Sequence, residues 1–177
     1  EVPFGEAPSG EGGEGDASGF GGGANTTTFD YSGSYSGTLT ADGSEESSDG
    51  ETIASDSADV NSALAENGGT LTITNGSLTK SGDDPDGDSC NFYGLNSILL
   101  SVNEDSMAYI SDSSLTADSE GSNAIFATDS GTVYANNVTI NTSSDNSRGL
   151  DATYGGTIIA NLMDITTLGE HCASIAT

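Results

Sequence analysis

Positive charge is nearly absent from this 177-residue chain. Two basic residues, Lys80 and Arg148, stand against 28 acidic ones, for a formal net charge of −26. So few cations cannot neutralise phosphates, which excludes nucleic-acid binding, and there is no polybasic patch for an anionic membrane. His171 is the single histidine, and Trp and Gln are missing. Mechanisms that need a cationic clamp or a histidine base therefore lose their usual residues. Apolar runs are short, so no membrane-spanning helix is encoded. No charged-then-apolar leader opens the sequence, as in a secreted chain whose signal has been removed. Two cysteines, Cys90 and Cys172, are too few for a disulfide scaffold.

Ser, Thr, Asn and Gly make up roughly half of the chain, far above ordinary usage. With little Cys and Lys, this composition points to a secreted or cell-surface bacterial protein. The strong negative charge suits a protein that sits in salt water or binds cations. The length fits one domain plus a tail. Residues 1–24 are Gly-rich and acidic without an apolar period, and read as a flexible leader or linker. Residues 25–177 read as the folded domain.

That domain repeats. The apolar residues Ile53, Leu78, Leu115, Ile140 and Ile165 follow one another at intervals of 25, 37, 25 and 25 residues. The long interval is one repeat plus an insertion near residues 83–94, DDPDGDSCNFYG, which reads as a loop. Ala63, Leu100, Ile125, Leu150 and Ile175 form a second column, and Ala65, Val102, Ala127, Ala152 and Thr177 a third. Leu71, Ala108, Val133 and Ile158 form another, as do Ile73, Ile110, Ala135 and Ala160. Paired columns lie two residues apart, the spacing of half-buried strands. Gly-rich turns separate them: NGG at 67–69, DSG at 129–131 and YGG at 154–156, where Gly supplies positive φ at a corner.

Three short strands in 25 residues predict an all-β right-handed parallel β-helix, a solenoid of about five to six coils. Coils stack at about 4.8 Å, so each column becomes a ladder of like side chains. The mostly polar column Asn75, Asp112, Asn137 and Leu162 predicts a partial Asn/Asp stack at a bend. Residues 26–40 match the period poorly and read as an irregular first coil or cap, with Phe29, Tyr31, Tyr35 and Leu39 over the first rung. The last coil is incomplete. Its residues Cys172, Ala173, Ser174, Ile175, Ala176 and Thr177 would leave an open strand edge, to be met by further chain or by another subunit.

Segments such as GGTLTITNGSLTKSG (68–82), NFYGLNS (91–97) and SRGLDATYGGTI (147–158) resemble the secreted adhesin-like β-helix proteins of gut and rumen bacteria. The resemblance covers about residues 50–177. It implies a right-handed parallel β-helix of the pectate-lyase-like shape and a surface role. These motifs specify fold far better than activity.

Candidate chemistry is sparse. Lyases of this shape need a base and cations for a uronate, and Lys80 and Arg148 lie two to three coils apart. Hydrolases need clustered carboxylates, whereas Asp145, Asp151 and Asp164 fall at different corners of one coil. Asp83, Asp84, Asp86 and Asp88, with Gly87 between them, resemble the start of an oxygen-ligand calcium loop but lack its closing Glu. His171–Cys172 reads as a packed turn rather than a metal site. A Cys90–Cys172 disulfide would require the insertion to fold over, because three coils separate them. Tyr109, Tyr134 and Ile159, with Thr72, form an outward stripe, either a binding face or ordinary cross-strand packing. The expectation is a non-catalytic extracellular structural or adhesive protein, a rigid spacer able to associate end to end into a fibre. The alternative is a glycan-binding or glycan-active module that uses the Tyr stripe. A third reading is a calcium-dependent surface protein.

Overall fold

The computed structural model describes residues 26–84 and 86–177; the leader proposed for residues 1–24 lies outside them. The chain winds as a parallel β-solenoid of about six turns. Coil 1 holds β1 (Gly37–Asp42), β2 (Glu45–Asp49) and β3 (Thr52–Ser55). Coil 2 repeats it as β4 (Asn61–Glu66), β5 (Thr70–Thr74) and β6 (Ser77–Lys80). A helix, α1 (Gly87–Tyr93), interrupts the sequence. Coils 3, 4 and 5 each have one short and one long strand: β7 (Leu99–Val102) with β8 (Met107–Ala117), β9 (Ile125–Thr128) with β10 (Thr132–Thr142), and β11 (Leu150–Ala152) with β12 (Thr157–Thr167). Then β13 (Ile175–Ala176) begins the next turn.

The strands stack into two parallel sheets. The first runs β1-β4-β7-β9-β11-β13. The second runs β2-β5-β8-β10-β12, with β3 and β6 joining it at β8. Each long strand is the expected pair of strands fused across a bend. The bend is a left-handed residue: Asp112 at φ 51°, Asn137 at 54° and Leu162 at 53°; Asn75, at 54°, separates β5 from β6. Asn137 Nδ2 donates to Asp112 Oδ1 at 2.7 Å, and Asn75 Nδ2 donates to Asp49 Oδ1 at 2.8 Å. The polar column is thus an amide–carboxylate ladder at the corner, made of the residue types that tolerate left-handed backbone best.

The core lies inside the coils, where Leu71, Ala108, Val133 and their neighbours Ile73, Ile110 and Ala135 are buried. Burying each larger aliphatic side chain contributes roughly 1.5–3 kcal/mol. Leu150 pairs with Ile125 on one side and Ile175 on the other, as the period requires.

Two columns of the first sheet need correction. Ala63 pairs with Leu99, not Leu100, and Ala65 with Ser101, not Val102. The insertion shifts the first sheet by one residue less than the second, where Leu71 pairs with Ala108. A one-residue shift turns a strand over, so Leu99 faces the core and Leu100 faces out. Coil 1 is also regular. Leu39 pairs with Ala63, and Ala41 with Ala65, so Leu39 is part of a rung and not a cover. One Gly in each turn is needed for close approach rather than for φ: a Cβ on Gly69 or Gly156 would lie 2.1 Å from a carbonyl oxygen of the previous rung.

The insertion is helical where a loop was expected, because its acidic run supplies a cap. Asp86 accepts from Ser89 N at 3.3 Å and Ser89 Oγ at 2.9 Å, and Gly94 closes the helix at φ 76°. Its last carbonyls, which a helix leaves unpaired, are taken by side chains of the solenoid. Asn123 Nδ2 reaches Cys90 O at 2.9 Å, Arg148 Nη1 reaches Asn91 O at 3.3 Å, and Thr153 Oγ1 reaches Phe92 O at 2.7 Å. Tyr35 OH reaches Tyr93 O at 2.9 Å, and Asn61 Nδ2 reaches Gly94 O at 3.1 Å. The helix therefore lies across several rungs on the outward side of the first sheet. Phe29 and Tyr35 pack there too, against Leu64, Leu100, Val102 and Phe126. Tyr31, Tyr93 and Tyr154 stack in sequence, at 5.4 and 5.6 Å between ring centroids. Residues 29–35 are thus an axial strap along the side of the rod.

Candidate functional site

The Tyr stripe forms as the repeat predicts. In the second sheet Thr72 pairs with Tyr109, Tyr109 with Tyr134, and Tyr134 with Ile159. Alternation sends all four away from the core. Tyr109 is 38% exposed, Tyr134 37% and Ile159 51%. The two rings lie parallel, with centroids 4.9 Å apart and planes 6° apart, which is the rung spacing itself. Their mutual contact takes one face of each ring and leaves the other face toward Thr72 or Ile159. The Tyr109 hydroxyl also donates to Met107 Sδ at 3.4 Å.

A shallow groove of about 360 Å³ runs along this stripe, lined by Thr72, Thr74, Tyr109, Ser111, Tyr134, Asn136, Ile159 and Asn161. One flank is a polar column in which Thr74, Ser111, Asn136 and Asn161 pair rung to rung. Asn161 Nδ2 donates to Asn136 Oδ1 at 2.8 Å, an amide row beside the aromatic row. Toward coil 1 the face becomes acidic, with Glu45 and Asp49 on β2. Asp49 is held below the usual carboxylate range by hydrogen bonds from Asn75 and Thr74. The site offers hydroxyls, amides and π surface beside fixed negative charge.

The other candidates are drawn into structural roles. Lys80 is 1% exposed, and its ammonium donates to Ser57 O and Gly82 O, each at 2.9 Å. It occupies an inward corner position where Thr142 and Thr167 instead donate to the carbonyls of Ser147 and Cys172. Burial pulls its pKa down against the pull of Asp59 and other acids. Arg148 pairs with Asp151 at 2.6 Å. Asp151 is raised by burial, with Arg148 opposing.

The acidic loop is likewise structural, with Asp84 buried and Asp83, Asp86 and Asp88 exposed. Asp83 Oδ1 accepts Glu120 N at 2.9 Å, Asp84 accepts Asp86 N at 2.9 Å, and Asp86 caps α1. Among the described residues, no group of three or more His, Cys, Asp or Glu is gathered so that it could hold a metal ion. Asp145 Oδ1 accepts Glu170 N at 2.7 Å, Asp151 is buried, and Asp164 is exposed on β12, so these three remain at separate corners. Cys90 and Cys172 are free thiols. His171 sits in a left-handed turn at φ 57° and is exposed, with Cys172 half-buried beside it, so the turn is not packed as expected. Cys172–Thr177 form that turn and β13, whose Ile175 is 69% exposed.

Sequence reasoning missed the covered outer face of the first sheet, which carries no local motif and depends on how the insertion folds back. The geometry defines the class, a parallel β-solenoid with an open aromatic groove on its second sheet. No family model matches the chain, and neither a curated protein nor a solved structure is found to be similar to it.

Proposed function

We propose that this protein is a non-catalytic adhesive rod of the cell surface or extracellular space, which presents the Tyr109–Tyr134 groove to a neutral glycan. The observation that carries this reading is the stacked, open tyrosine pair flanked by an amide row. Sugars are bound by such a combination, with ring surface against C–H groups and amides or hydroxyls against sugar hydroxyls. The charge of −26 disfavours polyanionic glycans and a second copy of the chain alike. Asp83, Asp84, Asp86, Asp145 and Asp151 and both cations are engaged in turns, caps and the helix clamp, which favours presentation over chemistry. The adhesin-like segments at 68–82, 91–97 and 147–158 agree with a surface role.

The test is a glycan array followed by titration calorimetry. The wild type binds one or more neutral glycans. Tyr109→Ala combined with Tyr134→Ala weakens that binding at least about tenfold, equivalent to about 1.4 kcal/mol. Binding that survives the double substitution removes the groove from the argument.

A further inference from the structure

The sequence holds two Asn–Gly dipeptides, Asn67–Gly68 and Asn75–Gly76, and the fold gives both the same setting. The asparagines lie on either side of β5, exposed and left-handed, at φ 53° and 54°. Each carries its amide to a carboxylate of coil 1. Asn67 Nδ2 donates to Asp42 Oδ1 and Asn75 Nδ2 to Asp49 Oδ1, both at 2.8 Å. Each glycine N–H is held by a buried serine of coil 3. Gly68 N donates to Ser106 Oγ at 3.0 Å, and Gly76 N to Ser113 Oγ at 2.9 Å. Asp42 and Asp49 close β1 and β2, so the two amides clip coil 1 to coil 2 at successive corners.

Asn–Gly is the dipeptide that loses its side-chain amide most readily, because glycine has no side chain to obstruct its own nitrogen. The glycine nitrogen attacks Cγ of the asparagine, and a C–N bond forms. The Cγ–Nδ2 bond breaks, and ammonia leaves with the proton given up by the glycine N–H. Water then opens the cyclic imide at one or other carbonyl, to Asp or to isoaspartate. Nothing is oxidised or reduced, and solvent water is the co-reactant. Each corner opposes the first step twice. The proton that must leave is engaged by a serine oxygen. The amide to be attacked is anchored beside a carboxylate, which disfavours the negative charge that develops there.

We propose that Asn67 and Asn75 are two deamidation sites that govern the attachment of coil 1, held back by Ser106 and Ser113 while the corners are closed. Reaction at either site exchanges an amide–carboxylate hydrogen bond for two facing carboxylates, which cannot hydrogen-bond while both are ionised. It also adds to a net charge of −26. The isoaspartate product lengthens the main chain by one carbon and moves the rung out of register at the corner. Coil 1 is sensitive to this because, among the described residues, β2 pairs with β5 alone. Hydrolysis of the amide does not reverse in water, so the corners act as a clock rather than a switch. None of this requires that the groove bind a glycan.

The full chain is aged in mildly alkaline buffer, then digested and mapped by mass spectrometry for Asp and isoaspartate at each site. In the folded chain both sites are expected to react at least about tenfold more slowly than in the same chain held unfolded in urea, since reaction waits on local opening. Ser113→Ala frees Gly76 N–H and should speed Asn75 several-fold with Asn67 unchanged; Ser106→Ala should do the reverse. Each site is thus the control for the other against general loosening. The consequence is read on the product: Asn67→Asp combined with Asn75→Asp keeps the left-handed corners, which Asp tolerates. Hydrogen exchange should then show β2 several-fold less protected, with β10 unchanged. Equal rates in the folded and unfolded chain would overturn the proposal. So would serine variants that speed neither site or both together, or a double Asp variant whose β2 is protected as in the wild type.

Discussion

Phe126 and Tyr134 belong to the same coil, and both point away from the solenoid core, yet Phe126 is fully buried while Tyr134 is 37% exposed. The backbone treats them alike, since each occupies an outward position on a parallel sheet. Only the material laid over the first sheet differs. There α1 and the strap with Phe29 and Tyr35 cover Leu64, Leu100, Val102 and Phe126, so this sheet is apolar on both sides, as doubly covered parallel strands are. Nothing described lies over the second sheet at Tyr109 and Tyr134. In a repeating fold, the repeat decides which residues point out, and the segments outside it decide which of those are buried.

The sharpest way to break this contrast is to truncate one residue on each face. Phe126→Ala should destabilise by about 4 kcal/mol, as for other buried aromatic residues. Tyr134→Ala should cost about 1 kcal/mol or less, the worth of a cross-strand pair. Urea unfolding of both variants measures the difference. Similar losses would mean that the covered face is not a second core. Leu99→Ala and Leu100→Ala extend the test: both should be costly, one through the inner core and the other through the cover.

The clamp that holds the cover is next in size. Arg148→Ala removes the partner of a nearly buried carboxylate as well as the donor to Asn91 O, and should cost about 3 kcal/mol at neutral pH. Asp151 is raised by burial even with Arg148 present, and loss of the cation raises it further. Its stabilising contribution is present at low pH and lost as the pH rises through the folded value. The deficit of Arg148→Ala should therefore shrink on acidification, and Asp151→Asn in the same background should relieve part of it at neutral pH. Melting curves across that range provide the check; a deficit that stays constant with pH would place the loss in packing alone.

The same contrast explains what could be read in advance. The stripe from Thr72 to Ile159 and the inward columns of the second sheet follow from period-two alternation and a 25-residue spacing, and the structure pairs them as expected. The bend at Asn75, Asp112 and Asn137 was legible because Asn and Asp mark left-handed corners. Leu100 was misplaced because an insertion need not lengthen two sheets equally, and nothing in its own side chain distinguishes an inward Leu from an outward one. The helix was hidden for a related reason: Asp86 and Gly94 are capping residues, but the seven residues GDSCNFY have too little amphipathic period to outweigh a loop reading. Of the side chains that receive its carbonyls, Asn61, Asn123 and Arg148 share one column, two residues before the paired Ala63, Ile125 and Leu150, but a column of polar residues at a turn does not announce a helix laid over it. Lys80 resembled a catalytic candidate through its rarity, whereas its corner position lets a long chain do the work of the Thr142 and Thr167 hydroxyls.

The smallest effects lie along the corner ladder, between the two kinds of face. Asn137→Ala removes the bond to Asp112 and places Ala in left-handed backbone, for a loss of about 1–2 kcal/mol; Asn137→Gly should recover the backbone part. Leu162 offers the opposite sign. It holds the same left-handed conformation at φ 53° and is 69% exposed, so it bears the backbone cost without the compensating amide. Leu162→Asn should stabilise by about 1 kcal/mol, because Asn tolerates that backbone and its amide can extend the ladder onto Asn137. A thermal melt settles it. If Leu162→Asn lowers the midpoint, the side chain at this corner is held by contacts that outweigh its backbone, and the ladder is a local preference of coils 2–4 rather than a rule of the rod.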